Sequence, residues 1–195
     1  FIRRWENAQK IIFMRHAQTA LNDGTFLGQG RDPGIFKKDI PLFQENNIKA
    51  VYSSPAKRCV ETAKLFFPQV TFNKDYRLQE INYASAEGMT FEALKKQHPE
   101  IIDEWLKGED PNFPDGGENT SSVLSRLNNF LIELRGKIDG ATVVMTHSVV
   151  LRCLIGEAHD IPQQEWYLLS IPHAEPLDFK IMAGRLIPNI PRSQL

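Results

Sequence analysis

The sequence predicts an α/β fold, a three-layer sandwich in which a mostly parallel central sheet carries helices on both faces. Three observations predict it. Short, continuously apolar runs alternate with longer segments of helical period. The runs lack polar alternation, as strands buried on both faces do. The length, 195 residues, suits one domain over 1–195, and 42% hydrophobic with 24% charged residues is an ordinary globular mix. That mix excludes a disordered chain, a collagen-like chain and a coiled coil.

Lys10-Ile11-Ile12-Phe13-Met14 is the first predicted strand. Lys49-Ala50-Val51-Tyr52 is the second and Ala141-Thr142-Val143-Val144-Met145 the third. Ser54-Pro55 reads as an N-cap and first helical position, opening a helix over Ala56 to Phe67. Thr90 to Leu106 reads as one or two helices broken at Pro99. From Asn119 to Arg135, the residues Val123, Leu127, Phe130, Leu131 and Leu134 share one helix face. Ser148 to His159 is a further helix. Gly34 to Asn47, which carries Pro41, is ambiguous. Leu177 to Ile181 and Arg185 to Ile187 form a candidate edge hairpin around Ala183-Gly184.

Lys+Arg 23 against Asp+Glu 24 gives a net charge of -1. No basic excess exists to hold a nucleic acid or an anionic membrane surface, so neither is expected as a partner. Any bound anion must be gripped by a few well-placed cations. The two cysteines, Cys59 and Cys153, make neither a disulfide scaffold nor a Cys-x-x-Cys zinc pair; they read as buried small hydrophobes in a reducing compartment. No apolar run approaches the length of a membrane span, and Phe1-Ile2-Arg3-Arg4-Trp5 is too short of apolar residues for a signal peptide. The expected location is cytoplasmic. Without an initiator Met, the chain is expected either to have lost residues before Phe1 or to be part of a longer chain.

In mostly parallel sheets, ligands bind beyond the carboxyl ends of the strands. The pairs closing the three runs are Arg15-His16, Ser53-Ser54 and Thr146-His147. They are expected at one rim, with Arg58 reaching it from the first turn of the following helix. The N–H groups of that helix end add to the pull on an anion. Two guanidiniums, two imidazoles and a helix end point to a phosphate or carboxylate site.

Five blocks in order resemble the histidine phosphatase superfamily, the phosphoglycerate-mutase-like enzymes, from about Ile11 to Ile181. They are Arg15-His16-Ala17-Gln18-Thr19 with Asn22, and Tyr52-Ser53-Ser54-Pro55-Ala56-Lys57-Arg58 with Glu61-Thr62-Ala63. Leu78-Gln79-Glu80-Ile81 closed by Glu87-Gly88 follows, then Gly116-Gly117-Glu118 with Arg126, then Val143 to His147 with Val150 and Arg152. The resemblance implies His16 as a nucleophile that becomes a phosphohistidine. It implies Arg15, Arg58 and His147 as the groups that neutralise the phosphoryl oxygens, and Glu80 as general acid and base. Thr19, Asn22, Gln29, Gly30 and the loop residue His173 are its candidate substrate contacts. No metal and no cofactor is expected, and the partner is a small phosphorylated substrate.

The chain departs from the family pattern at Ala17 and Ser148, where glycine is usual, and within Asn82 to Ala86, where another glycine is expected. The stretch between Asn22 and Ser53 is short, so a helix there should be curtailed near Pro41. Glu80 and Gly116 lie 116 − 80 = 36 positions apart. That leaves room for a small helical cap within about 84–115 and not for the long insertion of mutases, so water reaches the phosphoenzyme and hydrolysis is favoured. The nearest flavours are the fructose-2,6-bisphosphatase-like and broad phosphatase branches. The alternatives are phosphoglycerate-mutase-like phosphoryl transfer, or a low-activity domain used for binding or regulation. Glu87 reads equally as a ligand of site backbone and as a turn cap. Asp32 reads as structural, His98 and His159 as surface or helix-end residues, and Trp105 and Trp166 as packing.

Overall fold

The computed structural model describes residues 8–36, 43, 45, 47–135, 140–182 and 185–189. Its six strands are β1 (Gln9–Arg15), β2 (Ile48–Ser53), β3 (Asn73–Lys74), β4 (Ala141–Thr146), β5 (Pro176–Met182) and β6 (Arg185–Pro188). They lie in the order β3-β2-β4-β1-β5-β6. The first four are parallel neighbours, and β5 pairs antiparallel with β1 and β6. The sheet is therefore mostly parallel with an antiparallel hairpin at one edge, as expected. The turn residues Ala183 and Gly184, and Pro41 with its expected curtailed helix, lie outside the described residues.

The helices are α1 (Lys57–Phe66), α2 (Phe91–Gln97), α3 (Pro99–Leu106), α4 (Thr120–Leu134) and α5 (Ser148–Ala158). Side chains of β1 alternate between faces, as a strand requires. Ile11 and Phe13 pack on the α4 and α5 side, in one cluster with Leu127, Phe130 and Leu151. Ile12 and Met14 pack with Cys59 and Ala63 of α1. Helices thus cover both faces. The cap helices α2 and α3 join the larger cluster through Leu94 and Ile102. Thr90 caps α2 by accepting the Ala93 N–H, and Pro99 opens α3, so the proline separates two helices. Asn119 caps α4 by accepting the Ser122 N–H. Among the described residues no helix is long and apolar enough to cross a membrane.

Two expectations are corrected. β2 is not buried on both faces: Val51 is buried but Lys49 is exposed, and on its outer side only Tyr52 and Ser53 are paired, with the two-residue β3. Ser54 is not the N-cap of α1. Its N–H donates to Met145 O at 2.9 Å, continuing the ladder, and the helix begins at Lys57. The Lys57 N–H donates to the Asp32 carboxylate at 2.8 Å. Asp32 thus holds the first turn of α1, and that helix N–H is not free for a ligand; Asp32 also lines the polar cavity described below.

Candidate active site

Three parallel strands stop level. Arg15 of β1 is in register with Thr146 of β4, and Ser53 of β2 with Met145. The residues that follow, His16, Ser54 and His147, therefore emerge together at the carboxyl rim. The His16 N–H donates to Thr146 O at 3.0 Å. The His16 and His147 rings lie 5.3 Å apart, and the His173 ring lies 5.5 Å from His16.

His16 is 2% exposed. Its Nδ1 lies 2.8 Å from Ala17 O. A carbonyl only accepts, so Nδ1 carries the proton and Nε2 keeps the lone pair. Burial first, then the Arg58 and Arg15 charges, hold this imidazole's pKa well below the ordinary histidine range. Ala17 is fixed in turn: its N–H donates to Thr62 Oγ1 of α1 at 2.9 Å. His147 is fully buried. Its Nε2 lies 2.8 Å from Ser54 Oγ and 3.4 Å from Cys59 Sγ. Burial, then Arg58 and His16, depress its pKa as well.

Arg58, 1% exposed, donates to Gly28 O at 2.8 Å and Arg31 O at 3.3 Å. Arg15 donates to Ile171 O at 2.8 Å, and burial lowers its pKa to about 10. The Nε atoms of Arg15 and Arg58 are both buried and find no acceptor among the described residues. Unpaired buried donors on cations are costly, and an oxyanion between them would satisfy both.

Glu80 is 5% exposed. Its carboxylate oxygens accept the Ile81 N–H at 3.0 Å and the Val149 N–H at 3.3 Å. Burial nevertheless raises its pKa, outweighing those bonds and the Arg58 charge. Its backbone oxygen is held by Gln29 Nε2 at 2.8 Å and Arg126 Nη2 at 3.2 Å. Arg126 is braced by Glu118 at 2.9 Å. A polar cavity of about 120 Å³ opens among Arg58, Glu80, His147, Gln29 and Gly28. Neither Arg15 nor His16 lines it.

The remaining predicted residues separate. His173 stands beside His16, its Nδ1 2.9 Å from His16 O. Asn22 and Thr19 turn toward each other: Asn22 Oδ1 accepts the Thr19 N–H at 2.8 Å and its hydroxyl at 3.0 Å. Neither lines the polar cavity. Gly30 commits its N–H to Glu87 at 2.8 Å and does not line the cavity. Glu87 also accepts from Gly28 at 3.1 Å and Arg31 at 2.8 Å, so of its two readings the backbone-binding one holds. Ser54 and Thr62, which touch the two key imidazole segments, do not stand out in the sequence as site residues. Ser54's place at a strand's end carries a signal, but the Ser-Pro pair also reads as a helix start. The glycine missing between Glu80 and Glu87 has a local trace: Ala84 takes a left-handed φ of 46°, which costs a non-glycine residue about 1–2 kcal/mol.

A model of the histidine phosphatase superfamily (branch 1) matches residues 11–185. The chain belongs to this superfamily. Histidine phosphatase relatives include phosphoserine phosphatase 1 of Hydrogenobacter thermophilus, 31% identical over 158 residues, 74% of each chain. A 6-phosphofructo-2-kinase/fructose-2,6-bisphosphatase of Caenorhabditis elegans is 28% identical over 84% of this chain, which spans only 37% of that protein. Among solved structures, Bacillus stearothermophilus YhfR superposes with a TM-score of 0.79 at 22% identity, covering 94% of this chain and 96% of that one. The phosphoserine phosphatase of Entamoeba histolytica gives 0.79 at 21%, covering 96% and 100%. Both share the α/β fold described above. Family and relatives together class this histidine phosphatase as a phosphoric monoester hydrolase.

Proposed function

We propose that this chain hydrolyses a small phosphorylated metabolite, without a metal, through a phosphohistidine on His16. One observation carries the proposal: a neutral His16 with its Nδ1 proton committed to Ala17 O, beside two guanidiniums whose buried Nε atoms are unpaired. In the first step, the Nε2 lone pair attacks phosphorus and the ester P–O bond breaks. Arg15, Arg58 and His147 bind the three phosphoryl oxygens as charge shifts, which is most of what phosphoryl transfer requires. Glu80, whose burial favours the protonated form, gives its proton to the departing alkoxide. In the second step, water attacks phosphorus while Glu80 takes up its proton. The P–N bond then breaks, its electron pair returns to Nε2, and inorganic phosphate leaves.

His173 steadies the backbone beneath His16, and Gln29 holds Glu80 in reach. The short cap favours hydrolysis over transfer back to product. Phosphoserine and fructose 2,6-bisphosphate, taken from the relatives' names, are the first esters to assay. Two free, buried cysteines fit a reducing cytoplasm.

The test is hydrolysis of para-nitrophenyl phosphate in EDTA by wild type and by Glu80→Gln. The variant should bind phosphate normally and turn over about 10²- to 10⁴-fold more slowly, the usual share of general acid–base catalysis. Unchanged turnover would remove Glu80 from the acid role. Loss of wild-type turnover in EDTA would refute metal independence.

A further inference from the structure

Thr62 of α1 is fully buried and takes no part in the steps above. Its Oγ1 makes two hydrogen bonds whose directions are forced. The Ala17 N–H can only donate, so Oγ1 accepts it, at 2.9 Å. Arg58 O can only accept, so the hydroxyl proton goes there, at 2.6 Å. One oxygen atom therefore joins the backbone that follows His16 to the backbone of Arg58. We infer that Thr62 is a positioning residue: it fixes the His16 nucleophile relative to the Arg58 guanidinium, and so sets the rate of phosphoryl transfer without touching the ester. The inference rests on the reading of His16 as the nucleophile.

A threonine in a helix often bonds the carbonyl four residues back, and that bond alone is a local habit of the helix. The second bond is different, because it reaches across 45 positions of sequence. β1 ends at Arg15, and the His16 N–H still donates to β4, at Thr146 O. Beyond that point the peptide joining His16 to Ala17 is held on both sides. Its oxygen lies 2.9 Å from His173 Nδ1, and its N–H meets Thr62 on the opposite side, where a trans peptide points it. The next carbonyl, Ala17 O, takes the His16 Nδ1 proton at 2.8 Å. The Ala17 backbone thus sets where the ring points, and Thr62 sets where that backbone sits.

The other end of the link is the group that grips the oxyanion. Arg58 lies one helical turn before Thr62, and both are buried on one face of α1. Its guanidinium is held by Gly28 O at 2.8 Å. In-line attack needs the His16 Nε2 lone pair aimed at the phosphorus that Arg58 holds, and a misplacement of about 1 Å costs on the order of 10²-fold in rate. Binding of phosphate by Arg15, Arg58 and His147 needs no such alignment. Loss of the link is therefore expected in kcat and not in ground-state affinity.

The experiment compares wild type with Thr62→Val, which keeps the branched shape and removes the hydroxyl, and with Thr62→Ser, which keeps the hydroxyl. Turnover of para-nitrophenyl phosphate gives kcat. Competition gives Ki for inorganic phosphate and for vanadate, which adopts the five-coordinate geometry of the transition state. Expected for Thr62→Val is a kcat about 10- to 100-fold lower and a phosphate Ki within about twofold of wild type. Its vanadate Ki should rise in step with the loss in kcat/KM. Thr62→Ser should hold kcat within about threefold of wild type. A folded Thr62→Val with wild-type kcat, equal losses of phosphate and vanadate affinity, or a Thr62→Ser as slow as Thr62→Val would overturn the inference. Should Thr62→Val not fold, Thr62→Ala, in which water can meet the Ala17 N–H, is read in the same way.

His16→Ala separates this failure from failure of the catalytic reading. If it turns over at the wild-type rate, the nucleophile reading falls whatever Thr62 does. If it is inactive while Thr62→Val keeps the wild-type kcat, only the positioning role falls.

Discussion

Glu87→Gln tests whether the approach loop is held from beneath. The Glu87 side chain, 11% exposed, accepts three backbone N–H groups, from Gly28, Gly30 and Arg31. Hydrogen bonds to a charged acceptor contribute about 1.5–3 kcal/mol each, and neutral ones about 0.5–1.5. The glutamine carbonyl can keep Gly28 and Arg31, both on Oε1, as neutral bonds. Its NH₂ then faces the Gly30 N–H, which turns to water because Gly30 is exposed. The net loss is about 3.5–6 kcal/mol, a fall in urea midpoint of about 1–3 M at an ordinary m-value. The damage should also reach the chemistry. Gly28 O anchors Arg58 and Gln29 anchors the Glu80 backbone, so kcat/KM for para-nitrophenyl phosphate should fall at least about tenfold. Urea unfolding and steady-state kinetics on the same preparation read both. A midpoint and a kcat/KM indistinguishable from wild type would refute this account of the loop.

Two further predictions concern ionisation and packing. Attack needs neutral His16 and protonated Glu80. Because burial lowers His16's pKa and raises Glu80's, kcat/KM should peak between the two. It should decline as pH rises through Glu80's pKa and as pH falls through His16's; Glu80→Gln should lose the alkaline limb, and an acid limb centred above 6.5 would contradict the His16 assignment. Gly156 of α5 faces the Trp166 indole, into which a Cβ would project. Gly156→Ala should therefore cost about 1–3 kcal/mol by overpacking, measured as a lower urea midpoint; an unchanged midpoint would mean the indole shifts freely.

Most of the frame was legible because it follows from local periodicity. β1 and β4 are apolar without alternation because sheet and helices cover both sides, and the α4 face repeats with the helical turn. The rim was legible because parallel strands of similar length end together. What stayed hidden depends on long-range partners. Ser54 precedes Pro55 and reads as a helix start, yet His147, 93 positions away, claims its hydroxyl. Asn22 and Thr19 satisfy each other, a choice no residue type dictates. Glu87's three acceptances span 56 to 59 positions. A second cavity, of about 510 Å³, draws its walls from Leu94 and Ile102 of the cap helices and from Ile81, Tyr83 and Val149, so no single motif records it. β3, two residues long, is too short to carry a period.

Rapid quenching during turnover, followed by peptide mapping under alkaline conditions that preserve phosphoramidates, measures the core of the mechanism. Phosphate carried by the His16 imidazole in wild type, and by no residue in His16→Ala, is the predicted result. Active enzyme with phosphate on another side chain, or a His16→Ala protein that still turns over at the wild-type rate, would contradict it.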